Sequence, residues 1–225
     1  MLKSSLFFFV LFVARNKKLI TFALTMIKDL YNESIECPVE IDKGATNWDN
    51  LITIYNGVNK VPSITFEHSL DVHKGFVWRI KETIGDKCVF ELMRDKMLRN
   101  RYTNTDEYGL LGLSIINPKD RSVILTEGVS DYFSAKFLCP DRNVLGVTTL
   151  GGSRIAKTLL VNMFDDFCIC SDNDTKGERN TGFTNSNKFK MFLEGYNKRI
   201  YIFIPETGYK DVSDNLFGKL RYNGQ

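Results

Sequence analysis

The sequence predicts a chain in two parts. From about residue 121 it reads as α/β, with about four mostly parallel strands between helices; residues 35–120 read as a smaller α+β unit. Two observations carry the prediction. After residue 121, apolar runs without polar alternation recur between segments of helical spacing, the pattern of parallel strands covered on both faces. Before it, short β-rich runs alternate with turn signals, the pattern of an antiparallel sheet. A chain of 225 residues, 43% of them hydrophobic, can bury a core of this extent in one or two domains.

Residues 1–34 form an apolar and basic extension. SLFFFVLFVA (5–14) is followed by RNKK and then LITFALTMI (19–27). The first run is too short to span a bilayer. Lys3, the apolar stretch and Ala14 imitate a signal peptide, but basic residues directly after the run and a thiol-bearing body oppose export. The expectation is a helix packed on the body, or an upstream extension with the natural start at Met26, rather than a peripheral membrane anchor.

In the α+β unit, NLITIY (50–55), FVWRI (76–80) and KCVFELM (87–93) read as strands, with turns at Asn56-Gly57 and Ile84-Gly85-Asp86. YGLLGLSII (108–116) ends at Asn117-Pro118, where the chain turns. Lys87, Arg94, Lys96, Arg99 and Arg101 crowd one stretch, interleaved with Phe90 and Tyr102. Such a patch suits phosphate contacts, and equally a solvated charged face.

The second half is regular. RSVILTEG is an apolar strand ending in Glu127-Gly128, and VSDYFSAKFL (129–138) is helical. NVLGVTTLGG (143–152) is a second strand; SRIAKTLLVNMF (153–164) is a helix that Ser153 would cap. DFCICSDND is a third strand, 184–195 a helix, and RIYIFIP (199–205) a fourth strand.

Cys37, Cys88, Cys139, Cys168 and Cys170 include no C-x-x-C pair, and His68 and His73 are the only histidines. No structural zinc is expected. An odd cysteine count with two in a buried strand reads as reduced thiols in an intracellular, cytoplasmic protein; the bacterial or phage-infected cell is implied only by the family resemblance given below.

The acidic residues share an address. In an open parallel sheet, ligands sit beyond the carboxyl ends of the strands. Glu127 lies past the first strand, Asp172 and Asp174 past the third, and Lys210, Asp211 and Asp214 past the fourth. Asp172 and Asp174, two apart in extended chain, aim the same way. Carboxylates so grouped repel unless cations join them, and hard oxygen ligands suit Mg²⁺ or Mn²⁺. The bland alternative is a set of ordinary polar turns. A dinucleotide site fits poorly, because LGVTTLGG lacks G-x-G-x-x-G.

The ordered set VILTEGVSDYFSA (123–135), TTLGG (148–152), CICSDNDTKG (168–177) and YKDVSDNL (209–216) resembles the Toprim domain of DnaG-type primases, topoisomerases and several nucleases. It covers about two fifths of the chain. The resemblance implies a Rossmann-like Toprim fold with Glu127, Asp172 and Asp174 catalytic, and with Mg²⁺ (or Mn²⁺) on those three and Asp211. It assigns Lys210, Gly128, Asp131, Gly177 and Asp214 to phosphate or nucleotide, with Asp214 equally able to cap the following helix. RIKETIGDKCVFELMRDKMLRNRYTNTDEYGLLGL resembles the run-up to Toprim in phage primases. There Arg94, Lys96, Arg99 and Arg101 would hold single-stranded DNA template, with Tyr102 or Trp78 stacking bases or simply packing in the core.

The implied activity is metal-dependent nucleotidyl transfer from nucleoside triphosphates, making short RNA primers. No G-x-x-x-x-G-K-[ST] and no zinc ribbon is present, which points to a separate replicative helicase as partner, to a fragment, or to lost synthesis. A Toprim-type nuclease and a non-catalytic nucleic-acid-binding module are the alternatives.

Overall fold

A computed structural model describes residues 29–30, 35–71, 75–95, 100–102, 109–148, 154–173 and 180–221. The apolar extension at 5–27, Met26 and the expected cap Ser153 lie outside them.

The second half forms a mixed α/β layer. Its strands are β7 (Ser122–Glu127), β8 (Val144–Val147), β9 (Asp166–Cys170) and β10 (Arg199–Phe203), all parallel. The helices between them are α2 (Val129–Leu138), α3 (Arg154–Met163) and α4 (Thr181–Glu194), and α5 (Val212–Lys219) follows β10. The sheet has five strands where the sequence predicts about four: β6 (Leu110–Leu111) adds an antiparallel edge to β8, giving the order β10-β9-β7-β8-β6. Two residues are too few to show a period, so the sequence pattern could not announce this strand.

Strand alternation explains why these runs are apolar throughout. Ile124, Cys168 and Cys170 face one core cluster; Val123, Leu125, Phe167 and Ile169 face a second, where Ala156, Leu160, Phe189 and Leu193 pack from α3 and α4. All five cysteines are free.

The first half forms a separate antiparallel sheet of β2 (Ile64–Asp71), β3 (Gly75–Ile84), β4 (Lys87–Asp95) and β5 (Asn100–Tyr102). Gly85 and Asp86 turn β3 into β4, and Gly85 takes the left-handed φ of 58° that this turn demands. One expectation is overturned here. NLITIY is not a strand but most of helix α1 (Asn47–Ile54), which runs into a π-helical turn at Tyr55–Asn59 containing Asn56-Gly57. Thr46 and Asp49 form a capping box, and Trp48, Leu51, Ile54 and Tyr55 recur at helical spacing on the buried side. Burial along a 3.6-residue period outweighs the β-branched preference of Ile and Thr.

The two halves meet through an aromatic seam. Phe66 of β2 stacks on Phe133 of α2 with centroids 4.5 Å apart, and Tyr55 meets Phe133 at 4.9 Å. Glu82 of β3 is fully buried and accepts from the backbone N–H groups of Gly112 (2.8 Å) and Ser114 (2.6 Å), just past β6. Burial pushes its carboxyl above the usual range. A short parallel pair, β1 (Ile35–Glu36) with β11 (Leu220–Arg221), joins the chain's two ends of described structure. Among the described residues, no helix is long and apolar enough to cross a membrane.

Candidate active site at the carboxyl ends of the parallel strands

The connection from β7 leads through α2 toward β8, whereas the connection from β9 leads through α4 toward β10 on the opposite side. The crevice between β7 and β9 is therefore the topological switch point, where ligands of open α/β sheets bind. A cavity of about 580 Å³ lies there.

Most of the residues singled out from sequence line this one cavity. Glu127 and Gly128 enter from the end of β7, Asp131 from the first turn of α2, Asp172 from the end of β9, and Lys210, Asp211 and Asp214 from the segment after β10. Arg94 reaches it from β4 of the other sheet. Asp174, Gly177, Lys96 and Arg99 lie outside the described residues, and of Arg101 only the backbone, in β5, is described.

Local chemistry holds this rim together. Gly128 starts α2 with φ 103°, a conformation open to glycine, and its N–H donates to the Val147 carbonyl at 3.1 Å. Asp211, not Asp214, caps α5: its Oδ1 accepts from the Asp214 N–H at 2.8 Å. Asp214 reaches back instead to accept from the Lys210 N–H at 3.4 Å. The capping role considered for Asp214 thus falls to Asp211, because α5 begins at Val212, directly after Asp211, and Asp214 lies within its first turn.

Asp131 is buried at the junction of two helix starts, where its Oδ1 accepts from the Ser213 N–H at 2.9 Å. Burial holds its carboxyl well above the usual range, and the charges of Asp211 and Asp172 push the same way. Burial also raises Asp211, while its hydrogen bond with Asp131 acts to lower it. Lys210 Nζ lies 3.8 Å from Asp172 and 3.9 Å from Asp211, close enough to offset repulsion between them.

The segment after β9 is tied down from two sides. The Asn173 N–H donates to the Lys210 carbonyl at 2.6 Å, and Asn180 Nδ2 donates to Asn173 Oδ1 at 3.0 Å. Gly182, in the first turn of α4, packs directly on Asp172: a Cβ there would come within 2.4 Å of the Asp172 carbonyl oxygen. Sequence reading passed over Gly182, since nothing local marks a helical glycine as a contact.

The far wall was also missed. Thr46, Asn47 and Trp48 line the cavity beside Trp78. The Arg94 guanidinium lies 4.6 Å from the Trp48 ring centroid, a cation–π contact. The T-x-x-D of the capping box was the readable signal that Thr46 begins a helix; its place at the cavity was not readable. Trp78 is mostly buried, 7% exposed, and Phe90 is core.

No protein-family model and no curated protein matches the chain. Among solved structures it is similar to the primase fragment of the bacteriophage T7 primase-helicase protein, with 14% identity over 68% of this chain and 62% of that one and a TM-score of 0.47. It is similar to the Aquifex aeolicus primase (zinc-binding and RNA polymerase domains), with 20% identity, 62% and 36% coverage and a TM-score of 0.47. The E. coli primase catalytic core gives 12% identity, 89% and 70% coverage and a TM-score of 0.46. The resemblance is one of fold to primase catalytic cores. The match spans less than two thirds of the first two of those chains.

Proposed function

We propose that the chain is a DNA primase-like Toprim protein, a nucleotidyltransferase that makes short RNA primers on single-stranded DNA. The observation that supports this reading best is the shared cavity at the switch point, lined by Glu127, Asp172, Lys210 and Asp211, with Arg94 on its far wall. The ordered sequence motifs agree with it.

The chemistry of the donor set fits a hard cation. The described lining contains carboxylates and no thiol or imidazole. No three Asp, Glu, His or Cys side chains among the described residues are grouped closely enough to enclose a metal. Carboxylate donors suit Mg²⁺ or Mn²⁺, which keep several waters and take one or two carboxylates plus substrate phosphates. Glu127, Asp172, Asp174 and Asp211 are the residues we propose to hold it. When bound, the cation neutralises phosphate charge and lowers the barrier to attack by a 3′-hydroxyl.

The chain's own groups do the rest. Lys210 meets a triphosphate oxygen as a point charge, and the backbone at Gly128 allows close approach at the start of α2. Asp131, buried in the first turn of α2, accepts from the Ser213 N–H and so braces the starts of α2 and α5 against each other. Arg94, stiffened by Trp48, contacts a template phosphate. Nucleoside triphosphates and single-stranded DNA are the proposed substrates, and a separate helicase the proposed partner.

The test is labelled ribonucleotide extension on single-stranded DNA with Mg²⁺ or Mn²⁺, scored in parallel for template cleavage. Short template-dependent oligomers, lost in Asp172→Asn, are expected. Cleavage without synthesis moves the assignment to a nuclease; synthesis undiminished in Asp172→Asn refutes the site.

A further inference from the structure

A second cavity, about 510 Å³, adjoins the first and shares Thr46 and Trp78 with it. Asp49, His68, Phe76 and Val77 complete its lining.

Its geometry follows from strand register. His68 of β2 pairs with Trp78 of β3, which pairs with Arg94 of β4, so the three side chains form one cross-strand row on the face that packs α1. The row spans about two inter-strand spacings, roughly 10 Å. One end is Arg94 at the carboxylate cavity; the other is His68 at the second. Phe76 lies two residues before Trp78 and shares its face.

Three features single out this end of the row. Phe76 is 61% exposed, unusual for a large aromatic that the fold leaves beside a cavity. Asp49 holds the neighbouring rings in place: its Oδ1 accepts from Trp78 Nε1 at 3.0 Å and from His68 Nε2 at 2.7 Å. Asp49 is itself fixed by the Thr46 hydroxyl at 2.7 Å. His68 Nδ1, the ring nitrogen not turned to Asp49, gives the ring a polar edge. Such a site offers a flat apolar surface, a polar edge and a cation at the other end of the same row.

We propose that this cavity is a base-binding subsite. An unpaired nucleobase of single-stranded nucleic acid stacks against Phe76 and His68 while the backbone of the same strand crosses Arg94. The assignment rests on the reading of the carboxylate cavity as a nucleic-acid site. It goes beyond that reading by naming residues that take a base rather than a phosphate.

The experiment compares a 12-residue oligothymidylate with an abasic oligomer of equal length and charge. Binding is read by quenching of intrinsic fluorescence, since Trp48 and Trp78 are the chain's only tryptophans and both line the carboxylate cavity. Wild-type protein is expected to favour oligothymidylate about tenfold, and Phe76→Ala to lose most of that preference while binding the abasic oligomer as wild type does. His68→Ala, at a half-exposed position, is expected to lower the same ratio without unfolding the chain. Equal ratios in wild type, Phe76→Ala and His68→Ala, or no binding of either oligomer, overturn the subsite. Primer synthesis is scored separately. Synthesis with unchanged ratios removes the subsite and keeps the proposed enzyme; a base-dependent ratio without synthesis keeps the subsite and removes the enzyme.

Discussion

Substituting Gly182→Ala tests how the fold aims Asp172. The added methyl would lie 2.4 Å from the Asp172 carbonyl oxygen and 2.7 Å from its Cβ. Ordinary contact begins near 3.4 Å, so one element must yield by about 1 Å. Neither neighbour is a flexible side-chain tip; the movement falls on the first turn of α4 or on the strand end that carries Asp172. Overpacking of this kind costs about 1–3 kcal/mol. Alanine in place of helical glycine returns about 0.5–1 kcal/mol. The net is a loss of up to about 2.5 kcal/mol, or up to roughly 10 °C in Tm for a chain of this size. If Asp172 serves in catalysis as proposed, the consequence for rate is larger, because a 1 Å displacement of a positioned group costs on the order of 100-fold in rate. Thermal unfolding and primer extension on the same preparation check both. The reasoning is refuted if Gly182→Ala melts and extends primers as wild type does.

Other expectations follow from the same structure. Asp165, held at about 2 by Arg121 and Lys198, contributes stability above the ordinary aspartate range that disappears as pH falls from about 4 to 2. Because Asp165 is nearly half exposed, Asp165→Asn should lose about 1 kcal/mol or less at pH 7 and only a small fraction of that at pH 2, measured by urea unfolding. Glu82 has the opposite sign: its raised native pKa means that the folded state keeps a proton the unfolded chain has released, so its share of stability declines as pH rises from about 4.3 upward. Denaturation midpoints of Glu82→Gln should therefore decline less over that range than those of wild type. Thr46→Ala removes the cap of α1 and should lower stability by about 1 kcal/mol in chemical denaturation. Arg94→Ala should weaken oligonucleotide binding at every sequence and reduce the slope of log affinity against log salt by about 1, read from titrations at several ionic strengths.

The sequence by itself determined the parallel layer and the chemistry of its rim. Continuous apolar runs such as VILT and FCIC admit few arrangements other than strands buried on both faces, and the helical spacing between them makes the strands parallel. Once that is so, Glu127, Asp172 and Lys210-Asp211 must emerge at one edge, because parallel strands end together. This part of the site was legible because each run encodes its structure locally.

What lies between distant segments was decided only by tertiary packing. The helix at 47–54 displaced an expected strand because Trp48, Leu51 and Ile54 find a common buried side against Phe66 and Trp78, which the segment alone does not reveal. Asp211 rather than Asp214 became the cap because the helix starts at Val212. Gly182 matters because α4 crosses Asp172 at backbone distance, and the Trp48–Arg94 wall exists because a strand of one sheet arrives opposite the rim of another. Periodicity records which face a residue turns to the core; which residue meets it there depends on how whole elements dock, and that is set by the packing of the assembled core.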